Sequence, residues 1–321
     1  MLDSRLLGVQ LNAGMPFALC LRMTHGQDFF KAVLESLTNA KVPFLIGGSY
    51  AYCRHVGIER DIKDLDLMIM EWEWPSVARA LTASGITNEL TFPHWLGKAL
   101  HDGLQVDIIF NGGNGVTAVD RDWFRFAIPD TVLGHEVRLA PVEELLWSKA
   151  FVMERERFDG SDVLHLLRGF ADRLDWGRLC RRFAGHEGVL RAHLMLFAYV
   201  YPGEADRVPD WVDRTLSDAM LADPAPSALC RGTQISRAQY LVDVEDWGYI
   251  DARLAPFGRM RPQDWVKWTN AIDTDLSRVM PKKRGAPPRS AAAEYALAHE
   301  DEVLAGRSHH DRPPHDRPLV R

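Results

Sequence analysis

Two aspartates one residue apart, Asp64 and Asp66, open the apolar run Asp-Leu-Asp-Leu-Met-Ile-Met. Read as a strand over 64–70, the alternation of side chains sets both carboxylates on one face and Leu65 and Leu67 on the other, with α-carbons about 6–7 Å apart. Like charges sharing one face of an apolar strand repel each other, and desolvation makes this worse. A divalent cation relieves both effects, and two carboxylates at this spacing can share a pair of ions about 3.5–4 Å apart. Asp107 is a lone carboxylate in the otherwise apolar stretch Val106-Asp107-Ile108-Ile109-Phe110. If that stretch lies beside the first strand, Asp64, Asp66 and Asp107 form a ligand set for a hard, oxygen-seeking ion such as Mg²⁺ or Mn²⁺. The competing reading makes the Asp-x-Asp motif the solvent side of an edge strand.

Gly47, Gly48 and Ser49 follow a short apolar run and precede a helical pattern. A strand-to-helix turn of this kind leaves backbone N–H groups and the positive helix end free for phosphates, and glycine lets the backbone approach closely. An ordinary connecting turn is the alternative. Lys149 lies on or beside the apolar stripe of a helical segment, four residues after Leu145 and four before Met153. Its ammonium is suited to a triphosphate; the alternative is a structural lysine that extends its head to water.

These residues need elements to hold them. The periodicities predict a helix over 27–40, a buried strand over 42–46, a helix over 49–56 capped by Ser49, the acidic strand over 64–70, a helix over 75–84 and a strand over 104–110. The loop Asn111-Gly-Gly-Asn-Gly115 follows. This order describes an α/β (α+β) fold: a small mixed-sheet core over 27–140, followed by a mostly helical domain over 141–280 with helices over 142–156, 161–173 and 190–201. Residues 1–26 read as a poorly defined leader. Residues 281–321 are poor in large apolar side chains and read as a disordered tail. No element is assigned within 202–262.

The chain has 321 residues, 46% of them hydrophobic, and a formal net charge of −6. That supports a sizeable core and argues against a globally basic nucleic-acid binder. Its four cysteines form no Cys-x-x-Cys pair, which argues against a zinc ribbon and fits a reducing, cytoplasmic setting. No stretch approaches the roughly 18 apolar residues of a membrane span.

The runs Leu45-Ile-Gly-Gly-Ser49, Arg60-Asp-Ile-Lys-Asp-Leu-Asp-Leu67 and Val106-Asp-Ile-Ile109, in that order, resemble the DNA polymerase β-like nucleotidyltransferase superfamily. The resemblance covers residues 27–170, and the spacer from Ser49 to Lys63 is slightly longer than the commonest form. It implies transfer of a nucleoside monophosphate from an NTP to an acceptor hydroxyl, with Asp64, Asp66 and Asp107 as catalytic metal ligands. Gly47, Gly48 and Ser49 would hold phosphates, with Arg60 and Lys63 flanking them. The segment from Glu143 through Lys149, Arg155, Arg157 and Asp159 to Asp162 looks like the corresponding helices of the AbiEii-type toxin branch. That likeness makes Lys149 a nucleotide ligand and Asp162 a further active-site carboxylate, and pairs Arg155 or Arg157 with phosphate or the neighbouring acids. It also implies tRNA as acceptor and a cognate antitoxin protein as partner. A small-molecule acceptor, such as an aminoglycoside or lincosamide antibiotic, and a non-catalytic binding module are the alternatives. Trp72 and Trp74 read as packing rather than base-stacking residues. His309, His310 and His315 read as a non-catalytic tail, and the basic run 281–284 as solvated.

Overall fold

The computed structural model describes residues 26–62 and 64–271, together with the backbone of strand β1 (Leu21–Arg22). The expectations for Lys63, for most of the leader, for the basic run 281–284 and for His309, His310 and His315 lie outside the described residues.

A seven-stranded mixed sheet occupies the centre, in the order β5 (Thr87–Phe92), β6 (Leu96–His101), β7 (Leu104–Ile109), β4 (Leu65–Met68), β2 (Leu45–Ile46), β9 (His135–Leu139), β8 (Ile128–Val132). β4 runs parallel to β7 and antiparallel to β2, and β2 runs parallel to β9. A further short strand, β3 (Arg60–Asp61), pairs with β1. The α/β class with a mixed sheet agrees with the expectation, but the sheet is larger than the sequence pattern indicated. β5 is an edge strand with no buried side chain, and β8 at the other edge carries Pro129, so neither has the apolar alternation of a half-buried strand.

The three predicted strands are all shorter than expected, the one over 104–110 by a single residue. The run 42–46 contributes only Leu45–Ile46, and the acidic strand begins at Leu65. Asp64 therefore sits in the bend just before β4, so strand alternation fixes Asp66 but not Asp64.

Helices α1 (Gln27–Asn39) and α3 (Trp74–Ala83) pack against each other, and α2 (Gly48–Val56) packs on β4. The predicted Ser49 cap is corrected. Gly47 is the N-cap residue, no side chain caps the helix, and Ser49 lies in its first turn. The reason is the tight exit from β2, where Gly47 N donates to Asp66 O at 2.9 Å and Gly48 adopts φ +53°.

Helix α4 (Arg121–Arg125) precedes β8, and beyond the sheet come α5 (Val142–Ala150), α6 (Gly160–Phe170), α7 (Trp176–Arg182), α8 (Glu187–Val200) and α9 (Asp210–Leu221). One continuous hydrophobic core runs from Phe29 on α1 through the strands to Leu216 on α9. α5 is buried nearly all round, including Glu143, Glu144 and Lys149. Burying charge is costly unless it is paired, and each of the three is paired. Glu144 accepts from Arg178 at 3.0 and 2.8 Å and from Arg182 at 3.1 Å, both on α7. Glu143 accepts from Asp175 N at 2.9 Å.

α5 ends at Ala150, six residues before its expected end at Glu156. Met153 N donates to Ile235 O at 3.0 Å, and Glu154 accepts from Ser236 Oγ at 2.6 Å and Arg237 N at 2.9 Å. These long-range bonds replace the next helical turn.

Residues 202–271 resolve into small elements held by such contacts: α9, the paired two-residue strands β10 (Leu229–Cys230) and β11 (Ile250–Asp251), and the helices α10 (Gly232–Ile235), α11 (Leu241–Glu245) and α12 (Pro262–Asn270). Among the described residues, no helix is long and apolar enough to cross a membrane.

Candidate active site

The registers of three strands assemble the acidic centre. Asp66 on β4 pairs directly with Asp107 on β7, and Asp107 pairs with Lys98 on β6. The strand face therefore carries Asp66, Asp107 and Lys98 side by side. Lys98 Nζ stands 3.4 Å from Asp107 Oδ1 and donates to Gln105 Oε1 at 2.9 Å. Lys98 was not anticipated from the sequence, since in Leu-Gly-Lys-Ala-Leu-His it reads as an ordinary polar strand position. Only the pairing register gives it a role.

The glycine turn meets the centre from the β2 side. A β-carbon placed on Gly48 would lie 1.6 Å from Asp66 Oδ2, and one on Gly47 would lie 2.3 Å from Met68 Cε. The Asp66 carboxylate thus rests against the N-terminal backbone of α2. This contact, together with the positive φ, requires glycine at 48.

Burial raises the Asp66 pKa to about 7, reinforced by the charges of Asp64 and Asp107 and opposed by Arg157 and Lys149. Burial likewise pushes Asp107 above the usual carboxylate range, with Lys98 opposing the shift and Asp64 adding to it. Asp107 Oδ1 is buried, and among the described residues it accepts no well-aligned hydrogen bond, the Lys98 ammonium standing 3.4 Å away. Desolvated, mutually repelling oxygens with an unsatisfied buried acceptor fit a divalent cation. Among the described residues, no three carboxylate, imidazole or thiolate side chains are grouped tightly enough to chelate an ion as they stand.

A second cluster lies beside the acids. Lys149 Nζ, only 5% exposed, donates to Asp159 Oδ2 at 2.9 Å and to Asp162 Oδ2 at 2.8 Å. Arg60 forks onto Asp162 at 2.6 and 3.1 Å, and Arg157 forks onto Asp159 at 3.0 Å through both contacts. Three cations share two carboxylates, so the cluster keeps a net positive charge. The buried Tyr52 ring floors it, 4.6 Å from the Arg60 guanidinium and 5.5 Å from Lys149 Nζ. Burial acts to raise the Asp159 pKa, but Arg157 and Lys149 outweigh it and hold the carboxyl below its ordinary value. Lys149 is therefore an ion-paired core residue. The exposed members of the cluster are Arg157, whose charge reaches Asp64 and Asp66, and Arg60.

Both clusters line one cleft of about 710 Å³. Of the residues singled out in the sequence, Gly48, Ser49, Arg60, Asp64, Asp66, Asp107, Lys149, Arg157, Asp159 and Asp162 line it. Gly47 is set back against Met68, and Arg155 is not among the lining residues. Trp72 is exposed, and Trp74 packs on Gly97 where a β-carbon would collide with its ring. The aromatic residues that do line the cleft are Trp95, Trp123, Phe151 and Trp268. Trp268 comes from α12, and Thr233, Gln234, Ile235 and Arg237 also reach the cleft from the stretch with no sequence assignment.

Comparison of the sequence with family models found no match, and comparison with curated proteins found none either. Solved structures give partial likenesses. The antibiotic-resistance factor ANT(2″)-Ia superposes with a TM-score of 0.37 at 15% identity, over 53% of this chain and 97% of its own. The lincosamide antibiotic adenylyltransferase LnuA gives 0.34 at 16% identity, over 46% and 99%. A putative nucleotidyltransferase from Thermotoga maritima gives 0.29 at 18% identity, over 36% and 77%.

Proposed function

We propose that the protein is a divalent-metal-dependent nucleotidyltransferase that moves a nucleoside monophosphate from an NTP to an acceptor hydroxyl and releases pyrophosphate. The observation that carries this reading is the direct register pairing of Asp66 with Asp107 beside the Gly47–Gly48 turn. A pair of carboxyl groups and a helix N-terminus open on the same cleft, which suits a metal-bound triphosphate.

In this reading Asp64, Asp66 and Asp107 would hold Mg²⁺ or Mn²⁺, which would supply charge neutralisation at the phosphates and acidify the hydroxyl. The first turn of α2, with Ser49, orients the β- and γ-phosphates. Arg157 and Arg60 offer the guanidinium edges nearest to them, while Lys149 keeps Asp159 and Asp162 in place to aim both arginines. The acceptor oxygen forms a bond to the α-phosphorus, and the bond from that phosphorus to the bridging oxygen breaks. Pyrophosphate leaves with the electron pair. The hydroxyl proton passes to Asp107 and then to solvent.

The acceptor proposed first is tRNA, on the resemblance of the 143–162 segment to the toxin branch. A small-molecule acceptor is the second reading, favoured by a cleft of about 710 Å³, within the roughly 300–1,000 Å³ of small-ligand sites. Incubation with Mg²⁺ and each α-labelled NTP, against tRNA and an antibiotic panel, separates the two by the size of the labelled product. Absence of any NTP binding would move the assignment to a non-catalytic module.

A further inference from the structure

The far end of the cleft is built by residues outside the acidic and cationic clusters. Arg237 lays its guanidinium over the Trp268 ring at 4.1 Å. Trp268 is wedged edge-on against Phe92 at 4.7 Å and Trp95 at 5.1 Å. The backbone that carries Arg237 is pinned at three points: Glu154 accepts from Ser236 Oγ and Arg237 N, Asn114 Nδ2 donates to Gln234 O at 2.7 Å, and Met153 N donates to Ile235 O.

Arg237 is half-buried, yet its guanidinium makes no salt bridge or side-chain hydrogen bond among the described residues. Among the described residues, the other cleft-lining cations, Arg60, Lys149 and Arg157, each have a carboxylate partner. Glu154, whose charge Arg237 feels, directs its two oxygens to Ser236 Oγ and the Arg237 backbone N–H rather than to the guanidinium. A guanidinium held over an indole face can still present N–H groups at its edge, and that edge matches phosphate and carboxylate oxygens.

The sheet order fixes which substrate this end faces. From β2 outward the strands present the Gly48 turn, then Asp66, then Asp107, then Lys98. Trp95 precedes β6, and α12 with Trp268 packs on β5, so the pair lies on the Asp107 side. Phosphoryl transfer sets the entering and leaving oxygens roughly in line. With pyrophosphate toward Gly48, the hydroxyl enters from the Asp107 side.

We propose that Arg237, braced on Trp268, anchors an oxyanion of the acceptor, a phosphate or carboxylate carried near the attacking hydroxyl. The inference rests on the nucleotidyl-transfer reading above. It makes the acceptor an anionic hydroxyl compound, and it disfavours a polycation.

The test uses the full chain with Mg²⁺ and a saturating α,β-methylene NTP, which fills the nucleotide site without reacting. Calorimetry then measures binding of the trinucleotide CpCpA, of 4-hydroxyphenylacetate and of tobramycin, which distinguish a phosphodiester, a carboxylate and a polycation. At least one anionic probe is expected to bind. Arg237→Met should weaken it about 10- to 100-fold, the worth of a charged hydrogen-bonded contact, and leave the affinity for the NTP analogue unchanged. Arg237→Lys, which keeps the charge and loses the fork, should retain part of the binding. The proposal is overturned if neither anionic probe binds, if tobramycin alone binds, if Arg237→Met leaves the probe unaffected, or if it weakens the NTP analogue as much. Failure of the wild-type protein to bind any NTP analogue overturns the nucleotidyl-transfer reading instead, and Arg237 is then judged by the probes alone.

Discussion

Gly48 and Asp66 are in contact so close that no side chain fits between them. A β-carbon at 48 would stand 1.6 Å from Asp66 Oδ2, on a residue whose φ is +53°. Gly48→Ala must therefore either displace the carboxylate or unwind the first turn of α2. Transfer is expected to fall about 100-fold, the scale of a misplacement near 1 Å, while circular dichroism stays native. Wild-type activity in this variant would separate Asp66 from the phosphate turn.

Asp66 links function to stability through pH. Its folded pKa of about 7 lies above the ordinary 3.8. Between those values the folded protein binds more protons than the unfolded chain, so stability falls as pH rises from about 4 to about 7 and then levels off. In EDTA at pH 8, Asp66→Asn should melt above the wild type and lose transfer. Saturating Mg²⁺ should stabilise the wild type more at pH 8 than at pH 5, and Asp66→Asn hardly at all. An equal melting shift at both pH values would sink this account.

Lys149 is set apart from the other cations by burial. Removing one partner of a buried ion pair leaves uncompensated charge and costs about 3–5 kcal/mol. Arg60 and Arg157 still serve Asp162 and Asp159, so Lys149→Met is expected at the lower end, about 3 kcal/mol. Urea denaturation at pH 7.5 reads this. A change under about 0.5 kcal/mol, the size of an ordinary surface substitution, would return Lys149 to the role of a direct phosphate ligand.

Arg157 should behave in the opposite way. Its side chain is 67% exposed, and exposed pairs contribute about 0–1 kcal/mol. Arg157→Met is expected to leave the urea midpoint nearly unchanged and to raise KM for the NTP about tenfold, the lower end of a charged hydrogen bond. A large loss of stability with KM intact would make the residue structural.

How much of this was legible in the sequence follows from the range of the interactions. Asp66 and Asp107 could be found because strand periodicity and apolar flanks are local signals. The Gly47–Gly48 turn was legible because close backbone approach leaves a glycine signature. Lys98 was hidden, since its place beside Asp107 depends on the register between β6 and β7. The partners of Lys149 were only half visible: Asp159 and Asp162 stood in the same segment, but nothing local fixed their salt bridges. Arg237 and Trp268 were beyond reach, because β10, β11 and α10 are too short to carry a periodic pattern and are set by contacts such as Asn114 to Gln234.

The central claim is tested most directly by nucleotidyl transfer itself. Purified protein is incubated with Mg²⁺ or Mn²⁺ and each of the four α-labelled NTPs, with total tRNA, the protein itself and an antibiotic panel as acceptors, beside the double variant Asp64→Ala, Asp66→Ala. The account predicts label on one acceptor class, pyrophosphate released in equal amount, and neither with the double variant, whose fold remains native. Transfer that survives in the double variant, or no transfer and no Mg²⁺-dependent NTP binding by the wild type, would contradict it.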